Sequence, residues 1–184
     1  MRRFFTMACA LAVAVTAIEF LPTLREAHAS TPAIAPQFTH QDPAQWLNTQ
    51  PLSLASLKGK VVLVEFWAFD CVNCRRTVAW MHSVQEKYAT QKFQIVAVHT
   101  PELPQERATN NVLAAIAQQH ITYPVMLDAD YSYWKALNNQ YWPAFYVIDA
   151  DGNIAAQAIG EMHVGDARAV EFERRIDALL ARAH

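Results

Sequence analysis

The strongest constraint on the fold of this chain is the run Val61-Val62-Leu63-Val64-Glu65-Phe66-Trp67. A nearly continuous apolar, β-branched stretch of this length reads as a strand covered on both faces, inside a sheet with helices packed against it. From Cys71 to about Thr90 the period changes, and Val78, Met81, Val84 and Tyr88 recur at helical spacing. Phe93 to Val98 reads as the next strand. Strand, helix and strand make a βαβ unit, and Cys71-Val72-Asn73-Cys74 falls at its strand-to-helix junction.

The flanking segments extend this unit in both directions. Residues 30–50 read as an irregular N-terminal arm, rich in Pro, Ala, Gln and Thr over its first part. Leu52-Ser53-Leu54 with Leu57 suits a short strand or turn, punctuated by Lys58-Gly59-Lys60. Pro104 is placed to open a second helix reaching about Gln119, with Val112, Leu113 and Ile116 on its inner face. Tyr123 to Leu127 reads as a strand and Asp130 to Leu137 as a short helix. Phe145 to Ile148 and Ile154 to Ile159 flank Asp149-Ala150-Asp151-Gly152-Asn153, which is hairpin chemistry. Asp166 is placed to cap a last helix with Val170, Ile176, Leu179 and Leu180 inward. The class this predicts is α/β: a central mixed sheet flanked by helices, with an N-terminal extension and a helical insertion, in one domain over residues 51–184.

The N-terminus predicts export. Arg2 and Arg3 precede a short apolar run, Met7 to Ile18, and Ala27-His28-Ala29 offers a small-x-small cleavage site, the layout of a signal peptide over residues 1–29. The run is well short of the roughly 20 residues that span a bilayer, although an uncleaved anchor is the alternative because Phe20 and Leu21 prolong it. The expected location is periplasmic or otherwise extracytoplasmic. A net charge of −2 without a basic stripe gives no footprint for nucleic acid.

Cys9 lies within the apolar leader, so the domain itself holds only Cys71 and Cys74. Two cysteines three apart close too short a loop to be an effective structural staple, which leaves redox chemistry or metal binding. Zinc needs four ligands, or three and water, and no second C-x-x-C or H-x-x-x-H accompanies the pair. Arg75 stands where a c-type haem site needs His. The first turn of a helix has unpartnered N–H groups and a partial positive charge, which stabilise a thiolate. Cys71 is therefore the expected nucleophile, and Cys74, one turn further in, the thiol that resolves the mixed disulfide. Arg75 and Arg76 add positive charge nearby, while Asp70 opposes it.

Glu65 is the only charge in its strand. Buried, its pKa rises toward neutrality and it can take the Cys74 proton; the alternative is a Glu turned to water at a sheet edge. Trp142-Pro143 reads, from composition alone, as an ordinary proline before a strand. His99 closes a strand, where a satisfied structural role competes with one facing the site. His82 reads as a surface residue, and Met162-His163 as a weak suggestion of a soft metal site. Asn138, Asn139 and Gln140 are expected to bond backbone.

The stretch Val64-Glu65-Phe66-Trp67-Ala68-Phe69-Asp70-Cys71-Val72-Asn73-Cys74 resembles the thioredoxin-superfamily signature. Leu52 to Lys60 is similar to the leading segment of exported TlpA-type redoxins. Val98-His99-Thr100-Pro101-Glu102, Ile121-Thr122-Tyr123-Pro124-Val125 and Asn138-Asn139-Gln140-Tyr141-Trp142-Pro143-Ala144 are similar to the thioredoxin-like domain of DipZ-type proteins. The resemblance implies a cis Pro143 beside the cysteine pair, with backbone of the preceding residue free for an extended substrate. It also implies a buried carboxylate at Glu65 and a shielding indole at Trp67. Trp67, Trp142 and Pro143 are thus the expected substrate-binding residues. Val72-Asn73 departs from Gly-Pro, and Trp142 stands where smaller residues are common.

The function expected is thiol–disulfide exchange with exported proteins, with reduction the favoured direction. It needs no cofactor or metal beyond the redox-active Cys71–Cys74 disulfide itself. A membrane electron-transfer protein is the expected electron partner, and the chain reads as a monomer. The competing readings are a copper-handling protein holding Cu(I) through the same cysteines, a thiol peroxidase, and a redox-dead binding module.

Overall fold

The computed structural model describes residues 33–183; the predicted signal peptide lies outside them. In chain order the strands are β1 (Ala33–Ile34), β2 (Trp46–Leu47), β3 (Val61–Trp67), β4 (Phe93–His99), β5 (Val125–Leu127), β6 (Ala144–Ile148) and β7 (Asn153–Ile159). The helices are α1 (Val72–Lys87), α2 (Thr109–Gln118), α3 (Ser132–Ala136) and α4 (Ala167–Leu180). One seven-stranded sheet runs β1-β7-β6-β3-β4-β5-β2. Its centre, β3, pairs parallel with β4 and antiparallel with β6, so the sheet is mixed.

Every residue of β3 is buried, and the strand's alternation explains the unbroken apolar run. Val61, Leu63 and Trp67 join a core with Trp80, Phe145, Phe172 and Ile176 on the α1 and α4 face. Val62, Val64 and Phe66 join a second core with Phe38, Trp46, Tyr133 and Tyr146. Each such side chain, fully buried, contributes about 1.5–3 kcal/mol.

Three expectations change. The arm is not irregular throughout, because it supplies the two outermost strands: β1 pairs with β7 at Ala33–Ile154, and β2 with β5 at Trp46–Met126. Burial of aromatic surface drives this. Trp46 packs edge-on against Phe38 at 5.5 Å and donates its Nε1–H to the His40 carbonyl at 3.0 Å. Second, the helix expected from Pro104 is broken in two. Pro104–Arg107 forms a 3-10 turn, Ala108 is extended, and α2 begins only at Thr109. Third, two side chains face outward. Val112, Ala115 and Ile116 are the buried positions of α2, which leaves Leu113 exposed. In α4 Ala169, Phe172 and Ile176 face inward, so Val170 is exposed. The cap on α4 is as expected, with the Asp166 carboxylate accepting from Ala169 N at 2.6 Å.

Candidate active site

β3 runs into the short loop 68–70 and delivers Cys71 to the N-cap of α1. Its Sγ accepts the backbone N–H of Cys74 at 3.3 Å, one of the donors the first helical turn leaves free. Both cysteines are free thiols, with Cys71 8% exposed and Cys74 2%. Their environments drive their pKa values apart. A hydrogen bond from the Cys74 thiol, opposed by burial and helped by the Cys74 and Asn73 amides, brings Cys71 down to about 7, although the Glu102 carboxylate works against this. Burial, reinforced by the hydrogen bond to Cys71 and the charge of Glu65, pushes Cys74 far above the ordinary thiol range. The arginines are engaged elsewhere: Arg75 faces Asp70 at 3.7 Å, and Arg76 faces Glu161 at 3.1 Å.

Glu65 is 3% exposed and lies between Ala97 of β4 and Phe145 of β6. Burial raises it to about 8, a hydrogen bond from Tyr123 pulls the other way, and the charge of Cys71 adds to the rise. Sequence reasoning missed Tyr123. The available signal was that a tyrosine in an apolar stretch must find a partner for its hydroxyl once buried.

The Trp142-Pro143 peptide is cis. Ala144 pairs with Phe66, which sets this turn beside the end of β3 from which the cysteine loop departs. The Pro143 carbonyl accepts from Gly160 N at 2.8 Å. The half-buried Trp142 donates its Nε1–H to the Thr100 carbonyl at 3.0 Å, and its ring lies 4.2 Å from that of Trp134. Trp67 is only 2% exposed and packs in the same core as both cysteines, so it backs the site from within and presents no surface for substrate.

The histidines differ from expectation. His99 is buried but not satisfied: its Nε2 has no hydrogen-bond partner. Its ring packs edge-on to Trp67 at 5.1 Å and stacks on Phe69 at 5.7 Å. Desolvation lowers its pKa to about 4, so the ring is neutral at pH 7. His82 is half-buried, with Nε2 enclosed and unpartnered, not a surface residue. Met162 is fully buried, whereas His163 turns outward to Glu161 at 3.0 Å, so the two do not converge. Asn139 donates to the Tyr141 carbonyl and accepts from the Tyr146 hydroxyl.

Two acidic and amide side chains after β4 were also missed. Glu106 is buried and accepts from Asp70 N at 2.8 Å, and Gln105 donates to the Asp70 carboxylate at 3.0 Å. Glu106 stands among polar residues in what reads as the first turn of a helix, where an outward carboxylate is the default, so nothing local marks it.

A mixed sheet whose central strand leads to Cys-x-x-Cys at a helix N-terminus, beside a cis-proline turn, defines a thioredoxin-fold protein. The chain belongs to the Redoxin family, whose profile matches residues 29–171. It is 41% identical over 119 residues to Protein DipZ of Mycobacterium tuberculosis (strain CDC 1551 / Oshkosh), a match covering 63% of this chain and 17% of DipZ. It is 27% identical to the thiol-disulfide oxidoreductase YkuV of Bacillus subtilis (strain 168), covering 74% of this chain and 88% of YkuV. Among solved structures it is similar to a thiol:disulfide interchange protein of the thioredoxin family from Chlorobium tepidum TLS, with a TM-score of 0.65 and 29% identity, covering 82% of this chain and 98% of that one. The chain thus spans less than a fifth of the length of DipZ.

Proposed function

We propose that this chain is an exported thiol–disulfide oxidoreductase that reduces disulfides in extracytoplasmic proteins. The observation that carries the reading is the asymmetry of the pair: a more accessible Cys71 brought down to about 7, and a deeply buried Cys74 held protonated. The Cys71 thiolate attacks one sulfur of a substrate disulfide, forming a mixed disulfide and releasing one substrate thiolate, which takes a proton from water. Cys74 then passes its proton to the Glu65 carboxylate and attacks the Cys71 sulfur. The Cys71–Cys74 disulfide forms, the second substrate sulfur leaves, and two electrons have moved to the substrate.

Glu65 suits this step because its basicity responds to Cys71. The negative charge of Cys71 contributes to the rise in Glu65 pKa. Once Cys71 is in a mixed disulfide that charge is gone, Glu65 gives up its own proton more readily, and its carboxylate becomes free to accept the one from Cys74. The Trp142-Pro143 turn offers the docking edge for an extended substrate. The chain acts as a monomer, its electrons arrive from a membrane electron-transfer protein, and residues 1–29 direct its export. Expression of Cys74→Ala in the native host tests the reading. Mixed disulfides held through Cys71 should accumulate on extracytoplasmic proteins and vanish on adding Cys71→Ser. If none form while the parent chain binds Cu(I) stoichiometrically and does not reduce insulin, the copper-handling reading takes its place.

A further inference from the structure

The loop that follows β4 supports the candidate site from three directions. At its start, Thr100 N donates to the Trp67 carbonyl at 3.1 Å, and the Thr100 carbonyl receives the Trp142 indole N–H at 3.0 Å. At its end, Glu106 turns inward. One carboxylate oxygen accepts from Asp70 N at 2.8 Å, the other from Glu102 N at 2.6 Å and Leu103 N at 2.7 Å. Asp70 is the residue immediately before Cys71, and Leu103, 42% exposed, is a large apolar side chain on the same loop. A buried carboxylate with three backbone donors makes short, charge-assisted bonds, stronger than neutral ones. No neutral side chain at this position could accept all three equally, because an amide offers a single oxygen.

We propose that Glu106 is a positioning residue that locks the backbone in front of Cys71 to the 102–103 loop, holding the attacking sulfur in register with the Leu103 lip over which an extended polypeptide disulfide must lie. The proposal rests on the reading of Cys71 as the attacking thiol. A small disulfide reaches Cys71 without touching the lip, whereas a polypeptide must fit both at once. Loss of the lock therefore falls on polypeptide binding rather than on thiol chemistry.

The test uses the full chain in two arms: turnover of insulin, the polypeptide disulfide, with dithiothreitol as reductant, and single-turnover reaction of the pre-reduced chain, freed of dithiothreitol, with 5,5′-dithiobis(2-nitrobenzoate), the small disulfide. Glu106→Gln should raise KM for insulin by about tenfold, with kcat and the small-disulfide rate each within a factor of about 3. Glu106→Asp, which keeps the charge but is one methylene short, should share the defect. An unchanged insulin KM in Glu106→Gln, or an equal loss on both substrates, overturns the proposal. So does parent-like behaviour of Glu106→Asp. Amide hydrogen exchange gives a second readout on any variant that folds: exchange should accelerate at Asp70 and stay unchanged at Val64, and unaltered protection at Asp70 overturns the lock. If the parent chain reduces neither substrate, it is the oxidoreductase reading that fails, and exchange at Asp70 still decides whether the lock exists.

Discussion

Cys71 is tuned mainly by its partner. Because the largest cause lowering it is the hydrogen bond from Cys74, removing that thiol should raise it. In the reduced parent, alkylation of Cys71 by iodoacetamide should follow one ionisation with a midpoint near pH 7, while Cys74 stays unmodified; in Cys74→Ala the midpoint should move up toward that of an ordinary thiol. Pulse alkylation read by mass spectrometry checks both. Two further buried groups set how stability depends on pH. Glu65 is raised from 4.5 to about 8 in the fold, so its stabilising contribution is complete below about pH 4.5 and lost as pH rises through about 8. Relative to the parent, Glu65→Gln should therefore gain on the order of 5 kcal/mol between those limits, from roughly 1.4 kcal/mol per pH unit. His99 acts with the opposite sign. Lowered from 6.5 to about 4, it contributes stability that is complete above about pH 6.5 and lost as pH falls through about 4. His99→Phe should gain on the parent by on the order of 3 kcal/mol over that interval. Urea unfolding of the reduced proteins at a series of pH values measures both differences, and a pH-independent difference for either variant would sink the corresponding assignment.

At the scale of elements, the least regular segment has the most specific anchors. The arm 33–47 makes only four paired residues, yet Phe38 and Trp46 are buried in the core on the arm's face of the sheet. His40 is held against Asp128 at 3.3 Å, and Asp128 in turn accepts from Tyr133 N and Trp134 N at the start of α3. Aromatic burial thus does for the arm what ladder hydrogen bonds do for β3. Trp46→Ala should cost about 3–5 kcal/mol of unfolding free energy by the usual range for a buried tryptophan. The arm should also become the first site of limited proteolysis while α1 and β3 stay protected. Equal protection of the arm in parent and variant would show that it is held by something other than Trp46. The short helices carry a related lesson. Tyr131, just before α3, has φ 62, and the first amides of the helix are satisfied from further back, Ser132 N by Asp130 and Tyr133 N and Trp134 N by Asp128, so its cap is not the adjacent residue.

Across the whole molecule, what was legible in the sequence follows how locally each feature is determined. The βαβ unit with the cysteine pair at its junction, the Asp149–Asn153 hairpin and the Asp166 cap all show in neighbouring residues, because periodicity and turn chemistry act over a few positions. The cis state of Pro143 came from resemblance and not from composition. What stayed hidden depends on partners far along the chain: Glu106 on Asp70, Tyr123 on Glu65, Ala33 on Ile154 and Trp46 on Met126. The last two pairings also impose an order of events. Both outer strands come from the first part of the domain, yet the edges they cover are completed by residues 125–127 and 153–154. During synthesis the arm emerges ahead of the rest of the domain and waits for most of it before either strand has anywhere to go. Such distant pairings are slow to close. The part of the domain made earliest is therefore among the last to be fastened, and until then both flanks of the sheet stand open to other chains.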